Sequence, residues 1–194
     1  MTESAFTFDE TTHTFRLGST VLLSITQILK ERGLINTDYF TPEGRDRGKA
    51  VHDACWFLDD GDLDWKSVDP RILPRVKAYE RFKKDVDFKP DIIEKRLYDP
   101  VNLFAGIPDR VGMLAGRRSV VELKTGVISA WVKLQTAAQN ILVDPRVYFP
   151  RFALQLKEDG TYTLHEFKDH IQDRQMFLAE LSCLKWRKHN GYGD

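Results

Sequence analysis

Three residues in the middle of the chain have the types and the spacing of a hydrolytic site. Asp109 precedes a tight-turn signal at 115–117, and Glu122 and Lys124 follow that turn in the segment 119–126 (SVVELKTG). Because side chains alternate along a strand, Glu122 and Lys124 should lie on the same face. Antiparallel pairing through the turn should bring Asp109 roughly opposite them, so that two carboxylates and an ammonium group meet on one sheet face.

A divalent cation would explain why two carboxylates share this strand pair. The residues around Glu122 are apolar, which indicates burial, and buried like charges are costly unless a cation lies between them. Without that cation, repulsion between Asp109 and Glu122 would raise the pKa of one of them. Oxygen ligands suit Mg²⁺, and Lys124 would then face the water and the phosphate of a phosphodiester. A surface hairpin, in which the three residues are solvated or salt-bridged, is the open alternative.

The elements that must position these residues alternate between strands and helices, which predicts one layered α/β domain with a mixed sheet. Polar and turn residues separate the apolar runs. The predicted strands are an N-terminal hairpin of 5–10 and 13–23, then 91–98, 103–114 and 119–126, and a second hairpin of 147–157 and 161–168. The predicted helices are 24–33, 41–58, 70–84, 129–142 and 169–189.

The predicted helix ends rest on capping residues. Ser24 and Gln27 have the spacing of a capping box, and Gly33 is expected to end that helix. Pro42 and Pro70 suit the first helical position of the next two helices, because the missing N–H would have no intrahelical partner there. Ser129 is expected to cap the helix that follows Lys124.

Composition excludes several classes of protein. The 194 residues carry 29 basic and 29 acidic side chains, with 42% hydrophobic residues, as in a globular protein and unlike a histone-like DNA-coating protein. No apolar run is long enough to span a bilayer, and the acidic N-terminus does not have the features of a signal peptide. Two cysteines, Cys55 and Cys183, are too few for a disulfide framework or an iron–sulfur cluster, and they favour a cytoplasmic setting.

Charge is concentrated in two adjoining segments. Residues 59–69 have a net charge of −4 and residues 71–84 have a net charge of +5, so an acidic loop leads into a basic helix. The cations that fall largely off the apolar stripe of this helix could follow a phosphate backbone. A solvated helix face paired with the acidic loop is the simpler interpretation. The four cations assigned to DNA binding are Arg71, Arg75, Arg81 and Lys84.

Four segments, in a fixed order, carry a resemblance to a known family. They are GRDRGKAVH at 44–52, FAGIPDRV at 104–111, VVELKTG at 120–126 and LQTAAQ at 134–139. They resemble the helical G-x-x-x-H, the G-x-x-D-R strand, the (D/E)-x-K-T-G strand and the Q-x-x-x-Y helix of the PD-(D/E)xK nuclease superfamily, RecB-like exonuclease group. With the N-terminal lead-in, which is similar to that of short phage-encoded members, the likeness covers about residues 5–140.

The resemblance implies roles for individual residues. It makes His52, Asp109 and Glu122 ligands of one or two Mg²⁺ or Mn²⁺ ions, together with the carbonyl of Leu123. It implies that Lys124 orients the attacking water and stabilises charge on the phosphate.

The resemblance also assigns two accessory positions. Gln135 would contact DNA or support the metal site, and Glu94 would be an accessory carboxylate. Arg110 is expected to hold a carboxylate or a phosphate, and a structural salt bridge is the open alternative. Gln139 stands where the family often has Tyr, and the iron–sulfur cysteines of some relatives are absent.

The resulting hypothesis is a metal-dependent deoxyribonuclease with a restriction-endonuclease-like core, acting as an exonuclease in DNA recombination, repair or processing in a phage-infected or bacterial cytoplasm. The expected partners are DNA and a recombination protein such as a single-strand annealing protein, with no membrane. One nuclease domain is predicted over 1–194, divided into 1–40, 41–90, 91–168 and 169–194. The alternatives are an endonuclease on the same core and a non-catalytic DNA-binding protein of the same fold.

Overall fold

The computed structural model describes residues 5–36 and 41–192, which fold into an α/β arrangement of ten strands and five helices. The strands are β1 Phe6–Asp9, β2 Thr14–Leu17, β3 Thr20–Ser24, β4 Lys89–Ile93, β5 Leu97–Asp99, β6 Phe104–Gly106, β7 Arg110–Leu114, β8 Arg117–Lys124, β9 Arg151–Leu156 and β10 Tyr162–Phe167. The helices are α1 Ile25–Glu31, α2 Pro42–Asp60, α3 Leu73–Asp85, α4 Val132–Val143 and α5 His170–His189. The predicted α/β class is therefore confirmed.

The central sheet is mixed, as the sequence predicts, and has the strand order β10-β9-β8-β7-β4. Strands β8 and β9 are parallel, whereas the other neighbours are antiparallel. Ala115 and Gly116 form the two-residue turn between β7 and β8, with φ angles of 48° and 78°. This turn fixes the register in which Arg110 lies opposite Val121, and the residue before Arg110 therefore lies next to Glu122.

A second mixed sheet, with the order β1-β2-β3-β6-β5, was not predicted as a separate layer. The N-terminal hairpin is confirmed as β1 and β2, but the predicted strand 13–23 is wrong as a single element. Gly18, with φ of 58°, reverses the chain and divides that segment into β2 and β3. Strand β3 then pairs in parallel with β6, which joins the hairpin to the middle of the chain.

The predicted strands 91–98 and 103–114 each contribute to both sheets, which corrects their assignment as single strands. The first breaks at Glu94, whose φ of 47° takes the backbone out of the extended region. The second breaks at Ile107-Pro108-Asp109, where proline provides no N–H for a ladder. Both breaks lie at the passage between the sheets, and a hydrogen bond of 3.1 Å from the Glu94 N–H to the Asp109 carbonyl joins them.

The helix caps follow the sequence at the first two helices and depart from it at the next two. The side chains of Ser24 and Thr41 accept hydrogen bonds from the backbone at the starts of α1 and α2. Helix α3 begins at Leu73 rather than at Pro70, because residues 70–72 form a turn. Ser129 does not cap α4, which begins after another turn with Trp131 at the N-cap position.

Helices cover both faces of the central sheet. One core joins α2 and α3 to the sheet through residues that include Val51, Phe82 and Leu123. On the other face, α4 packs against β8 and β9 and also contacts α1, α5 and strands of the second sheet. Helix α4 is consequently the layer between the two sheets. Among the helices of the described residues, none is long and apolar enough to cross a bilayer.

Candidate active site

Asp109 lies at the break that precedes β7, and a backbone contact holds its carboxylate against β8. The N–H of Leu123 donates a hydrogen bond of 2.7 Å to Asp109 Oδ2, and 13% of the Asp109 side chain is exposed. The expectation that Asp109 lies in the middle of a strand is wrong, because the chain changes sheet there. Its position beside the Glu122 segment is nevertheless the one that the turn and register impose.

Glu122 and Lys124 share a face of β8, and a network of hydrogen bonds fixes both. Lys124 Nζ donates to Glu122 Oε1 at 2.7 Å and to Gln135 Oε1 at 3.2 Å, and it lies 4.9 Å from the centroid of the Trp131 ring. Gln139 Nε2 donates to Glu122 Oε2 at 2.6 Å. Only 3% of the Glu122 side chain is exposed, against 20% for Lys124. Both carboxylate oxygens of Glu122 thus have a donor within the protein.

His52, on α2, approaches two carboxylates without a hydrogen bond to either. His52 Nδ1 is 3.7 Å from Asp109 Oδ1 and 3.8 Å from Glu94 Oε1, which exceeds hydrogen-bond range. Arg110 Nη1 donates to Glu94 Oε1 at 3.0 Å and to the Asp109 carbonyl at 2.7 Å. The two residues at which the predicted strands break are therefore held together by one guanidinium group, beside His52.

A buried ion pair anchors that guanidinium group to α2. Arg110 Nε donates to Asp59 Oδ2 at 2.5 Å, and neither side chain is exposed to solvent. Asp59 also accepts hydrogen bonds from the Tyr79 hydroxyl and from Lys83 Nζ, both on α3. The structure shows Arg110 in contact with two carboxylates, and its buried pair with Asp59 is the structural salt bridge that the sequence left open.

Asp109 and Glu122 have opposite electrostatic environments. Burial, followed by repulsion from Glu122, raises the pKa of Asp109 to about 7 against the opposing effects of His52, Lys124 and the Leu123 N–H. Burial would also raise the pKa of Glu122, but the charge and hydrogen bond of Lys124, with the hydrogen bond from Gln139, outweigh it and lower that pKa. The carboxylate with the raised pKa is thus Asp109.

The four cations assigned to DNA binding have different surroundings. Arg75 is only 4% exposed and donates to Glu158 at 2.5 Å, so the structure contradicts its assignment to a phosphate-tracking face. Arg75 precedes the buried Tyr79 and Phe82 by four and seven residues, so helical spacing places it on the buried face of α3. Arg71 and Lys84 are exposed and paired with Asp69 and Glu80 respectively, and Arg81 is also exposed.

The sequence reasoning missed the contributions of Gln139 and Asp59. Gln139 follows Gln135 by one helical turn, and Asp59 follows His52 by two turns of α2. Helical spacing was a signal that each shares a face with its partner. It could not show which strand that face meets, because only the packing of α4 and α2 against the central sheet decides this.

The donor atoms around Asp109 have the chemistry of a divalent-cation site. One imidazole nitrogen and the oxygens of Asp109 and Glu94 converge, and the raised pKa of Asp109 reflects a carboxylate removed from water beside a second carboxylate. In residues 5–36 and 41–192, however, no group of three or more His, Cys, Asp or Glu side chains is arranged to hold a metal ion. Glu122, hydrogen-bonded to Lys124 and Gln139, would have to exchange a partner to become a ligand.

Comparison with known proteins gives distant structural similarities. No protein-family model matches the chain, and no curated protein matches it significantly in sequence. A candidate exonuclease from Eubacterium rectale is similar at a TM-score of 0.46 and 13% identity, over 88% of this chain and 82% of the other. An alkaline exonuclease from Laribacter hongkongensis is similar at TM-scores of 0.35, and 0.32 in a complex with dAMP, with 13% and 14% identity over 88% of this chain and 93% of the other. These similarities are too distant to assign an activity.

The Asp59→Asn substitution should destabilise the protein strongly. It would remove the fully buried charge that pairs with Arg110 and leave that guanidinium group with the partly exposed Glu94, and breaking a buried ion pair costs about 3–5 kcal/mol. Urea unfolding should show this loss. The neighbouring Asp60 is exposed, so Asp60→Asn is the matched control and should change the free energy of unfolding by less than about 0.5 kcal/mol. Equal effects of the two substitutions would contradict a structural role for Asp59.

The Asp109→Asn substitution should stabilise the metal-free protein, with a defined pH dependence. Because the folded-state pKa of Asp109 is raised to about 7, the folded state binds more protons than the unfolded state from about pH 4 to pH 7. The stability that a protonated Asp109 contributes is therefore lost as the pH rises through this window. The advantage of the variant should grow over the same window to on the order of 4 kcal/mol, and then stay constant.

The control for this experiment is Glu122→Gln, measured in the same buffers with EDTA. Because the pKa of Glu122 is lowered, its ionised form contributes stability at neutral pH, and the variant should not be stabilised there. Thermal unfolding at several pH values tests both substitutions. If the stability of Asp109→Asn had the same pH dependence as that of the wild type, Asp109 would not be the carboxylate with the raised pKa.

Proposed function

We propose that this chain is a metal-dependent deoxyribonuclease of the PD-(D/E)xK superfamily, with a restriction-endonuclease-like core, acting as a RecB-like exonuclease within a single nuclease domain. The observation that carries the proposal is the convergence of Asp109, Glu122 and Lys124 at the carboxyl end of β8 in the central sheet, with His52 beside them. Two carboxylates and a lysine in this arrangement suit phosphodiester hydrolysis. The substrate is DNA, and the cellular setting is recombination, repair or processing in a bacterial or phage-infected cytoplasm.

The proposed cofactor is one or two Mg²⁺ or Mn²⁺ ions. His52, Asp109 and Glu122 would hold the ion, with the Leu123 carbonyl and with Glu94 as an accessory group. The histidine nitrogen suits Mn²⁺ better than Mg²⁺. A bound divalent ion supplies Lewis-acid charge for activation of water and for the leaving oxygen. No iron–sulfur cluster is included in the proposal.

Lys124 is the side chain that we propose to act on the phosphate. Its ammonium group is partly exposed, whereas its partner Glu122 is buried, so the cation lies on the solvent side of the pair. The Gln135 amide and the Trp131 ring keep the ammonium group in place. A phosphate at this position would accept a charge-assisted hydrogen bond from Lys124, and Glu122 would then be free of one of its donors.

The basic face of α3, with the turn that precedes it, is the proposed contact for the flanking DNA backbone. Arg81 and Lys84 on α3 and Arg71 in the turn are exposed, and Arg75 is not part of that face. Arg71 and Lys84 are paired with neighbouring carboxylates. We therefore expect them to attract DNA through the long-range electrostatic potential rather than through specific contacts with phosphates. A recombination partner such as a single-strand annealing protein would supply further affinity for DNA.

The Lys124→Ala substitution should abolish DNA cleavage and leave the protein folded. The wild-type protein should degrade end-labelled linear DNA with Mg²⁺ or Mn²⁺ and not with EDTA. Lys168→Ala is the matched control, because Glu166-x-Lys168 repeats the short motif at the exposed end of β10 and should be dispensable. Cleavage by a clean preparation of Lys124→Ala at the wild-type rate would refute the proposal.

Closed circular DNA in the same assay separates the exonuclease from an endonuclease on the same core. An exonuclease shortens linear DNA and leaves circles intact, whereas an endonuclease opens them. Opened circles would refute exonuclease activity and support an endonuclease that uses the same catalytic residues. Retention of DNA without cleavage by any preparation would favour a non-catalytic DNA-binding protein.

A melting experiment tests the metal site separately from cleavage. Saturating Mn²⁺ should raise the Tm of the wild-type protein by several degrees, because a ligand that binds only the folded state stabilises it. The shift should vanish in Asp109→Asn, which lacks a charged ligand. Ca²⁺ can replace Mn²⁺ as a second probe. Equal shifts in the two proteins would exclude a metal site at Asp109.

A further inference from the structure

A cavity of about 350 Å³ lies beside the candidate active site, between the second sheet and α4. Its volume falls at the lower end of the roughly 300–1,000 Å³ that is common for small-molecule sites. Ile107, two residues before Asp109, lines one side, and Gln135 and Gln139 line another. The same two glutamines hold Lys124 and Glu122, so the cavity and the candidate catalytic groups share a wall.

Aromatic rings from the N-terminal hairpin form the outer wall. Phe8, His13 and Phe15 line the cavity, and the Phe8 ring centroid is 4.5 Å from that of Phe15 and 6.0 Å from that of His13. The Arg96 guanidinium group lies 4.7 Å from the centroid of Phe8 and keeps that ring in place. Asp9 accepts hydrogen bonds from two backbone N–H groups of the turn that carries His13. The aromatic wall is therefore held by its own contacts.

The glutamines present one unsatisfied acceptor and one donor. Gln139 is 1% exposed, and its Oε1 is buried without a hydrogen-bond partner. Its orientation is determined, because the carboxylate of Glu122 accepts a hydrogen bond from Nε2 and could not accept one from an oxygen. Gln135 uses its oxygen to accept from Lys124, which leaves its NH₂ group as a donor. A buried acceptor without a partner is costly unless water or a ligand supplies the missing donor.

We propose that this cavity binds the nucleobase of the terminal nucleotide whose phosphate lies at Lys124. The inference rests on the proposed nuclease function and adds a substrate-binding site to it. An aromatic wall beside the Gln135 amide donor matches a base, which has an aromatic face and an edge with both donors and acceptors, and the Gln139 acceptor is buried in the same wall. Since every base has these features, the cavity should accept all four bases.

The position of the cavity explains a role for the N-terminal hairpin. Strand β3 pairs with β6, and β6 leads through Ile107 and Pro108 into Asp109. The hairpin is therefore attached to the segment that carries the candidate ligand. A base held against the hairpin would place its own phosphate relative to Lys124 and Asp109.

Cleavage of matched DNA ends tests the proposal. The substrates are a linear duplex with a normal terminal nucleotide and the same duplex with an abasic tetrahydrofuran residue at either the 5′ or the 3′ terminus. Wild-type kcat/KM should be at least about fivefold higher for the normal end, as expected for one stacked base. Phe8→Ala should lose this preference through slower cleavage of the normal end only.

Two further variants separate loss of the base contact from loss of folding. Thr26 is exposed and lines the cavity, so Thr26→Phe should fill the space, keep the Tm and remove the preference. Thr7 is exposed on the same strand as Phe8 and does not line the cavity, so Thr7→Ala should behave as the wild type. A wild-type protein that cuts normal and abasic ends at the same rate would overturn the base-binding proposal and leave the nuclease proposal intact.

A binding measurement separates failure of this proposal from failure of the nuclease proposal. Terminal 2-aminopurine in an oligonucleotide should lose fluorescence on binding to the wild-type protein in EDTA, and should lose less with Thr26→Phe. Quenching without cleavage under any metal condition would refute the nuclease function and support the base site. Cleavage without quenching at either terminus would refute the base site and support the nuclease function.

Discussion

The buried guanidinium group of Arg110 is the constraint on which the rest of this structure depends. A cation without solvent exposure needs acceptors within the protein, and the buried Asp59, the partly exposed Glu94 and the Asp109 carbonyl provide them. These partners come from α2, from the end of β4 and from the break before β7. Neutralising one charge therefore joins the helix that carries His52 to both points at which the chain changes sheet. The site is assembled at the junction that these contacts of Arg110 hold together.

The two buried carboxylates illustrate how environment separates chemically similar groups. Glu122 has a donor for each oxygen and its pKa is lowered, whereas Asp109 has one backbone donor and its pKa is raised. The electrostatic cost of the site is therefore concentrated on Asp109, next to His52. Without a bound cation, this cost lowers the free energy of unfolding. The proposed cation would offset it at Asp109, where the cost is greatest. This is a common trade between stability and a preorganised polar site.

Helix α4 connects the proposed chemistry with the proposed base site. Gln135 and Gln139 lie one turn apart on the face between the two sheets, and each uses one end of its amide on β8. The Gln135 NH₂ group remains for a ligand in the cavity against the N-terminal hairpin, and the Gln139 oxygen is buried in the wall of that cavity. A single helix face can in this way position a lysine, fix a carboxylate and recognise a base, because an amide is both a donor and an acceptor.

The sequence by itself determined the α/β class, the first two helix caps, the turn at Ala115-Gly116 and the common face of Glu122 and Lys124, because these depend on local periodicity and turn chemistry. It also placed Asp109 beside them through the register of one hairpin. It did not reveal that strands 91–98 and 103–114 divide between two sheets, that Arg75 is buried, or that Asp59 and Gln139 complete the networks. Those features depend on contacts between residues far apart in the chain, and only the packing of helices against the sheets decides which buried charge meets which partner.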